Sequence, residues 1–479
     1  MTEGLTELEK KLNGNATSNE FERSFYTRDL APVPDILSKV LFNSMPDMVI
    51  RPTSVDEIVQ VLQTAHEDQI PVTPRAGATT AYLNAVPTQK GIVVDLTSLK
   101  GIINIDLDNL QVEVYVGTSW KELNAELKKH DLTVLSVPSS GEASTVGGWF
   151  AMEGYGIGSL KYGSFHKQVI AAEVVLPHGE IINSTVDSDY PLSWFAGSEG
   201  TLGIVTKITF KVRRTPEREV HIAIEYKNIK DIQDALLIIE DLNSDDIPYN
   251  VHWSNPDFYY MLKKIGYPAH EENHVLLVSC QGEHENTQAS IQIVNEIAIK
   301  TNGEIVQNKT GENEWNERFR SLRIKRGGPT LLAAEVIIPI NSLGEYYKLI
   351  ENFGQRAATY GHMLDDHRIV LLLMYYADET KSLEYLFLMA KTQKVYNGAI
   401  KLGGRPYGIG VWNSVYIHKA YSPKFIKEIW GRKKLIDPKN IMNPGKIYGN
   451  SKLLHPKVFQ IASSSANVIS KFLGIGKGR

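Results

Sequence analysis

The sequence predicts an α+β protein with more than one core, and three observations predict it. Val49 to Phe210 is a succession of short Val/Ile-rich runs broken by Gly, Pro and Asp, with a few amphipathic helices between them. Arg218 to about Ala420 has a different texture, in which longer helices alternate with strands as in a separate sheet covered on one face. The 479 residues are about three times the ~150 of a typical domain, enough for two or three interiors.

The elements follow in order. Thr53 to His66 opens on Thr53-Ser54 and carries Val55, Ile58, Val59, Val61 and Leu62 at helical spacing, so an N-capped helix is expected. Gly91 to Leu96, Val112 to Val116 and Gly203 to Phe210 read as strands from their β-branched content. Lys211 to Glu217, with Pro216, closes the first region. Helices are expected over Ile229–Leu242, Thr287–Lys300, Ser342–Ala358 and Lys381–Tyr396, and strands over Val275–Ser279 and Ala333–Ile338. From Tyr421 the chain is basic and helical to Asp437-Pro438, then turns through Asn443-Pro444-Gly445-Lys446. The resulting division is an N-terminal helical segment (1–45), a first domain (46–215), a second domain (216–420), a C-terminal return (421–450) and a tail (451–479).

Composition removes several function classes. With 42% hydrophobic residues, 22% charged residues and a net charge of only -4, the chain is neither a disordered polymer nor a basic nucleic-acid binder. Its one cysteine, Cys280, excludes an intramolecular disulfide, a thiolate-held iron–sulfur cluster within the chain and a cysteine-rich zinc module. Met1 to Glu20 lacks the apolar core of a signal peptide, and a cytoplasmic protein is expected. The apolar run Ile369–Tyr376, preceded by Asp365, Asp366 and Arg368, is far short of the ~20 residues of a membrane span and reads as a buried strand. The glycosylation triplets at Asn15, Asn183 and Asn308 read as chance.

Three loops carry the chemical signal. Pro74-Arg75-Ala76-Gly77-Ala78-Thr79-Thr80 follows the apolar Ile70-Pro71-Val72, and a tight turn of small residues after a strand offers backbone N–H groups to a diphosphate. The same texture recurs from Pro138 and Ser139 through Ser144-Thr145-Val146-Gly147-Gly148 to Gly154, Gly156, Gly158 and Tyr162-Gly163, and again in Gly197-Ser198-Glu199-Gly200-Thr201-Leu202-Gly203, which opens on Ile204. Three such loops in one region point to an extended cofactor. The glycine spacing is not that of a nicotinamide-dinucleotide fingerprint, and neither a Walker loop nor a Gly-x-Ser-x-Gly turn is present.

The series Arg51-Pro52-Thr53-Ser54, Pro74 to Gly77, Gly147-Gly148, Lys161-Tyr162-Gly163, Val174 to Gly179 and Gly197 to Gly203 resembles the FAD-binding domain of the vanillyl-alcohol oxidase, or p-cresol methylhydroxylase, superfamily. Leu435-Ile436-Asp437-Pro438 and Ile441 to Lys446 resemble the C-terminal return of its branch of D-lactate dehydrogenases and D-type glycolate oxidase subunits. The resemblance implies a two-subdomain FAD domain with an α+β cap domain. It implies FAD held by Pro74, Arg75, Ala76, Gly77, Ala78, Thr79 and Thr80, by Pro138, Ser139, Ser144, Thr145, Gly147, Gly148, Gly154 and Tyr162, and by Gly197, Glu199, Gly200, Gly203 and Ile204. Asn443 and Lys446 would lie near the flavin. Ala76 to Tyr82 contains no histidine, where relatives with covalent FAD commonly place one, so noncovalent FAD is expected.

The same resemblance marks departures. The relatives' Gly-His-x-Gly-Asp-Gly-Asn-x-His motif, which with a later Glu-His-Gly supplies a metal and a base, reads here Gly361-His362-Met363-Leu364-Asp365-Asp366-His367-Arg368-Ile369, and the later motif has Pro406 and Tyr407. No metal is expected. His362 is a candidate base, and Tyr407 beside Arg405 is a candidate to orient or deprotonate a substrate hydroxyl. Arg318 and Arg323, from the basic run that also holds Arg320, Lys325 and Arg326, are candidates for an anionic substrate end. The implied activity is dehydrogenation of a small anionic hydroxy compound, such as a D-2-hydroxy acid, sugar acid or polyol phosphate. Electrons would pass to a quinone or another redox protein, and the chain could form a homo-oligomer. The alternatives are a noncatalytic FAD-fold partner subunit and an alkyl-glycerone-phosphate-synthase-like enzyme. The tail carries five basic residues and no acid, with Ile461, Val468, Ile469, Phe472 and Leu473 on one helical face, which suits the inner face of an anionic membrane.

Overall fold

The computed structural model describes residues 2–12, 14–33, 44–267, 273–306 and 309–448, so the tail and the triplet at Asn308 lie outside the described residues. Among these residues the chain forms two compact units, one from 2–154, 164–214 and 408–448, the other from 155–163 and 215–407.

The first unit holds two sheets. Strands β1 (Ala16–Thr17), β2 (Met48–Ile50), β3 (Val72–Arg75) and β4 (Ile92–Asp95) lie in the order β1-β2-β4-β3. β2 and β3 both run parallel to β4, which requires a crossover between them. The helix Val55–Glu67 supplies it. Ser54 accepts from the Glu57 N–H at its start, and Ile58, Val61, Leu62 and Ala65 form its buried stripe.

Strands β5 (Ile102–Asp106), β6 (Gln111–Tyr115), β7 (Leu132–Val134), β8 (Val169–Val175), β9 (Ile181–Ser184) and β10 (Ile204–Arg214) form the second, antiparallel sheet, in the order β5-β6-β10-β8-β9 with β7 on the far end of β10. In β10, Ile204, Thr206, Ile208, Phe210 and Val212 are buried and alternate with more exposed residues, the period of a strand with one packed face. Against that face Trp120, Trp149, Phe165 and Phe210 pack edge-on and stacked at centroid distances of 5.0–6.1 Å. The chain's end returns here through the helix Pro423–Ile436, whose cap is Ser422. Beyond it the backbone bonds to Val72 at both Ile441 and Asn443, adding an edge beside β3.

The second unit is built on one antiparallel sheet of β11 (Arg218–Tyr226), β12 (Asn250–Ser254), β13 (His274–Gly282), β14 (Glu304–Ile305), β15 (Thr330–Pro339), β16 (Ala358–Met363), β17 (Arg368–Ala377) and β18 (Arg405–Pro406), in the order β14-β11-β13-β12-β16-β17-β15-β18. The run read as a buried apolar strand is β17. The helices Ile229–Glu240, His284–Lys300, Leu343–Glu351 and Ser382–Lys401 accompany the sheet. Tyr226 reaches Thr301, Trp253 packs on Tyr347, and Tyr375 donates to the Leu388 carbonyl, so this helix-covered face is the one bearing Tyr226, Trp253 and Tyr375. The helix expected over Ser342–Ala358 is shorter: it ends at Glu351, Gly354 turns the chain at φ +79°, and Ala358 already begins β16. The helix expected to stop at Tyr396 runs on to Lys401. Cys280 is buried on β13.

Candidate functional site

In the first unit the three small-residue loops converge. Pro74 and Arg75 end β3, and Ala76 to Thr80 form the loop after it. A Cβ on Gly77 would stand 2.5 Å from the Ala143 carbonyl, so only glycine lets the first loop touch the second. Pro138 and Ser139 start that second loop, Ser144 and Thr145 close it, and Gly147 and Gly148 form the first turn of the helix Val146–Ala151, with Thr145 Oγ1 accepting from the Gly148 N–H at 3.2 Å. Gly154 follows that helix and packs on the Trp149 indole. In the third loop Gly197, Glu199 and Gly200 all have positive φ, at +71°, +52° and +71°, and a Cβ on Gly200 would lie 3.0 Å from the Pro74 ring. Gly203 and Ile204 lead into β10. Tyr162 falls in the second unit, 6.3 Å from the Tyr249 ring.

The C-terminal return ties these loops together. The Asn443 side-chain amide donates to the Glu199 carbonyl at 2.7 Å and to the Asn84 carbonyl at 3.1 Å. Lys446 is fully buried and donates to the Val86 carbonyl. The Glu199 carboxylate is turned onto the Ile409 and Gly410 N–H groups at 2.9 and 2.8 Å, so it braces the third loop against a fourth segment. Arg75 is similarly engaged, donating to the Arg28 and Ala85 carbonyls and lying over the Tyr26 ring. Burial raises Glu199 to about 7 and Asp29 to about 6, and lowers Lys446 to about 7. Asp29 and Asn84 belong to no motif in the sequence, and Ile409 and Gly410, which end the later motif after Tyr407, carry no sign there of meeting these loops; only the folded chain brings them together.

Two atoms in this cluster suit a bound cofactor. Among the described residues Ser144 Oγ and Asn443 Oδ1 are buried without a hydrogen-bond partner. Together with the left-handed backbone of the third loop, they are suited to meet the polar edges of a dinucleotide.

In the second unit the face of the sheet away from the four helices mixes apolar side chains with histidines and other polar groups. Cross-strand register places Ala223, Leu277, His252, His362, Val370, Ile337 and Arg405 in one row, because directly opposed residues share a face. His221, Ser279 and Asn250 form the row on one side, and Ser254, Tyr360, Leu372 and Glu335 the row on the other. The His252 and His362 rings are 4.8 Å apart, and His362 Nδ1 is 3.2 Å from Asn250 Oδ1. Burial lowers His362 to about 4 and holds His252 well below its usual range, with His362 and Arg323 adding to the effect on His252. Tyr407 joins the same face: its hydroxyl accepts from the Tyr155 N–H at 3.1 Å, and both rings pack with Ile337, Leu364 and Val370. Arg405 is half-buried on β18. His367 sits in the turn after β16, paired with Glu240 rather than with His362.

The two candidate arginines differ. Arg318 lies 4.3 Å over Trp315 and 4.5 Å over Phe319, and Trp315 stacks on His221 at 4.4 Å. Among the described residues its guanidinium has the Trp315 carbonyl as hydrogen-bond acceptor and no carboxylate at ion-pair distance. Arg323 is already committed to the Glu317 and Arg320 carbonyls and faces the Glu317 carboxylate at 3.8 Å. Among the described residues no three His, Cys, Asp or Glu side chains converge as metal ligands, and no helix is long and apolar enough to cross a membrane.

The first unit thus gathers three small-residue loops, and the second carries a sheet face with two buried histidines. Residues 46–185 match the FAD binding domain and residues 242–447 match the C-terminal domain of FAD linked oxidases, which between them take in most of the chain. The chain is similar to glycolate oxidase subunit GlcD of Bacillus subtilis, 28% identical over 85% of this chain and 90% of that one. It is equally similar to D-lactate dehydrogenase of Anaerostipes hadrus, 28% identical over 84% of this chain and 89% of that one. Its fold is that of p-cresol methylhydroxylase with substrate bound, with a TM-score of 0.78, 17% identity, and coverage of 93% of this chain and 96% of that one. The chain belongs to the FAD-linked oxidases, and FAD is its cofactor.

Proposed function

We propose that this protein oxidises a small anionic hydroxy acid at its CH–OH carbon with noncovalently bound FAD. Bound FAD supplies the hydride acceptor. Arg318 binds the anionic end of the substrate: its stacked, preorganised fork has donors to spare, and this is the observation that carries the reading. His362, neutral at physiological pH, accepts the hydroxyl proton, while Tyr407 and Arg405 orient the hydroxyl and Arg323 supports the positive field of the site. Pro74 to Thr80, Ser139 to Gly148 and Gly197 to Ile204 hold the cofactor, with Asn443 and Lys446 toward its ring. The segment 46–215 serves as the cofactor domain and 216–420 as the substrate domain.

The relatives named as hydroxy-acid enzymes favour a D-2-hydroxy acid over a sugar acid or polyol phosphate. The electron acceptor is a quinone or redox protein, met where the basic tail draws the protein to an anionic membrane. The test is anaerobic titration of the purified yellow protein with D-lactate, glycolate and glycerol phosphate. Bleaching of the flavin by a hydroxy acid is expected. Full flavin content without bleaching by any of them refutes the activity, and a colourless protein points to a noncatalytic subunit.

A further inference from the structure

We propose that Asn250 is a positioning residue that holds His362 in the tautomer carrying its proton on Nδ1, leaving the Nε2 lone pair to receive the substrate proton. The inference rests on the reading of His362 as the base. Asn250 is buried on β12, diagonal to His362 on the neighbouring β16, and its Oδ1 lies 3.2 Å from His362 Nδ1. An amide oxygen can only accept, so the imidazole nitrogen facing it must carry the hydrogen. With Nδ1 committed, Nε2 is the acceptor, and it has no hydrogen-bond partner among the described residues.

The neighbours leave this assignment to Asn250. The second imidazole, His252, is directly opposite in register, but its Nε2 is engaged with Ser254 Oγ at 3.2 Å. Two rings 4.8 Å apart cannot both carry charge without strong repulsion, so one of the pair must stay neutral whenever the other is protonated. The titratable or charged groups nearest them are Tyr360 on β16, its ring 6.1 Å from that of His362, and Arg323 from the turn Ser321–Gly327, while the helices Pro256–Lys264 and Ser159–Tyr162 packed on β16 and β12 carry Tyr259, Lys161 and Tyr162. Arg323 disfavours a protonated His252. A wrong tautomer would present an N–H to the substrate hydroxyl, a donor where an acceptor is needed.

The experiment is histidine-selective 15N NMR of the full-length FAD-loaded protein, with the His362 signals assigned by His362→Gln. The wild type is expected to show His362 protonated at Nδ1, and Asn250→Leu to shift it to the Nε2-protonated form. With a hydroxy-acid substrate, Asn250→Leu should lower kcat/KM about tenfold or more. Asn250→Asp, which keeps an acceptor and adds a charge, should retain the tautomer and move the acid limb of the pH profile up by about a unit or more. Wild-type His362 protonated at Nε2, or a tautomer unchanged in Asn250→Leu, overturns the proposal. A tautomer that shifts while kcat/KM and the pH profile stay fixed overturns the base reading on which it stands. Flavin content and unfolding midpoints confirm that each variant is folded.

Discussion

Replacing Glu199 with Ala isolates the brace between the third cofactor loop and the 409–410 segment. The buried Gly410 N–H and the part-buried Ile409 N–H lose their acceptor, and a fully buried loss costs about 1–3 kcal/mol. Roughly 1–4 kcal/mol of unfolding free energy should therefore disappear, and FAD retention should fall with it.

The pH dependence gives this prediction its signature. Burial raises Glu199 from an unfolded value of 4.5 to about 7, so between those values the folded wild type binds more protons than the unfolded chain. Wild-type stability from this group is then highest below 4.5 and declines as pH rises through about 7, by a total of about 3 kcal/mol at 1.36 kcal/mol per unit. The variant lacks that slope. Its deficit relative to wild type should be large at pH 5 and much smaller at pH 8. Urea unfolding monitored by tryptophan fluorescence, with flavin absorbance per protein after gel filtration, reads both quantities. A variant with wild-type midpoints at pH 5 and full flavin content refutes the brace; a deficit independent of pH refutes the protonated carboxyl.

Gly200→Val should abolish flavin retention, because φ is +71° and the new Cβ would meet the Pro74 ring at 3.0 Å; stoichiometric FAD in the purified variant removes the third loop from the cofactor site. Prolonged chelation should leave turnover unchanged, because Ile369, Pro406 and Tyr407 stand where relatives place ligands; a loss restored by zinc or manganese refutes it. The full chain should sediment with anionic vesicles at low salt and a chain ending at Asn450 should not; equal behaviour of the two removes the membrane role of the tail.

What was legible in the sequence was what is encoded locally. Gly200 announces a tight turn by itself, at φ +71°, and Ser54 announces a helix start, because each acts on backbone within a few residues. The helix expected over Ser342–Ala358 failed for a related reason: apolar spacing continued past Gly354, and the glycine stop was the stronger signal. The groups around the candidate base were not legible. His252 and Asn250 acquire meaning only when β12 pairs with β16 more than a hundred residues later, and Asp29 only when it is buried near Lys446. A long-range strand register leaves no mark on either segment alone. Nor was it legible that the Glu199 carboxylate meets the Ile409 and Gly410 N–H groups and the Asn84 side chain, all far away in sequence.

A buried histidine held at about 4 is a weak base for a hydroxyl proton, and the resolution of that difficulty is itself testable. His362 is depressed by desolvation, the cost of an imidazolium in a site without a compensating anion. A hydroxy acid brings that anion. A carboxylate entering the face beside Arg318 and excluding water would favour the charged imidazole over its state in the free enzyme, so the base would strengthen only when there is a proton to take. The profile of kcat/KM reports the free enzyme, and its acid limb should lie near 4; the profile of kcat reports the complex, and its limb should lie higher. A neutral 2-hydroxy amide of the same shape lacks the charge and should leave the two limbs together. If the acid limb of kcat lies at or below that of kcat/KM for the hydroxy acid, the substrate does not supply the missing charge, and the proton must be taken by a group other than His362.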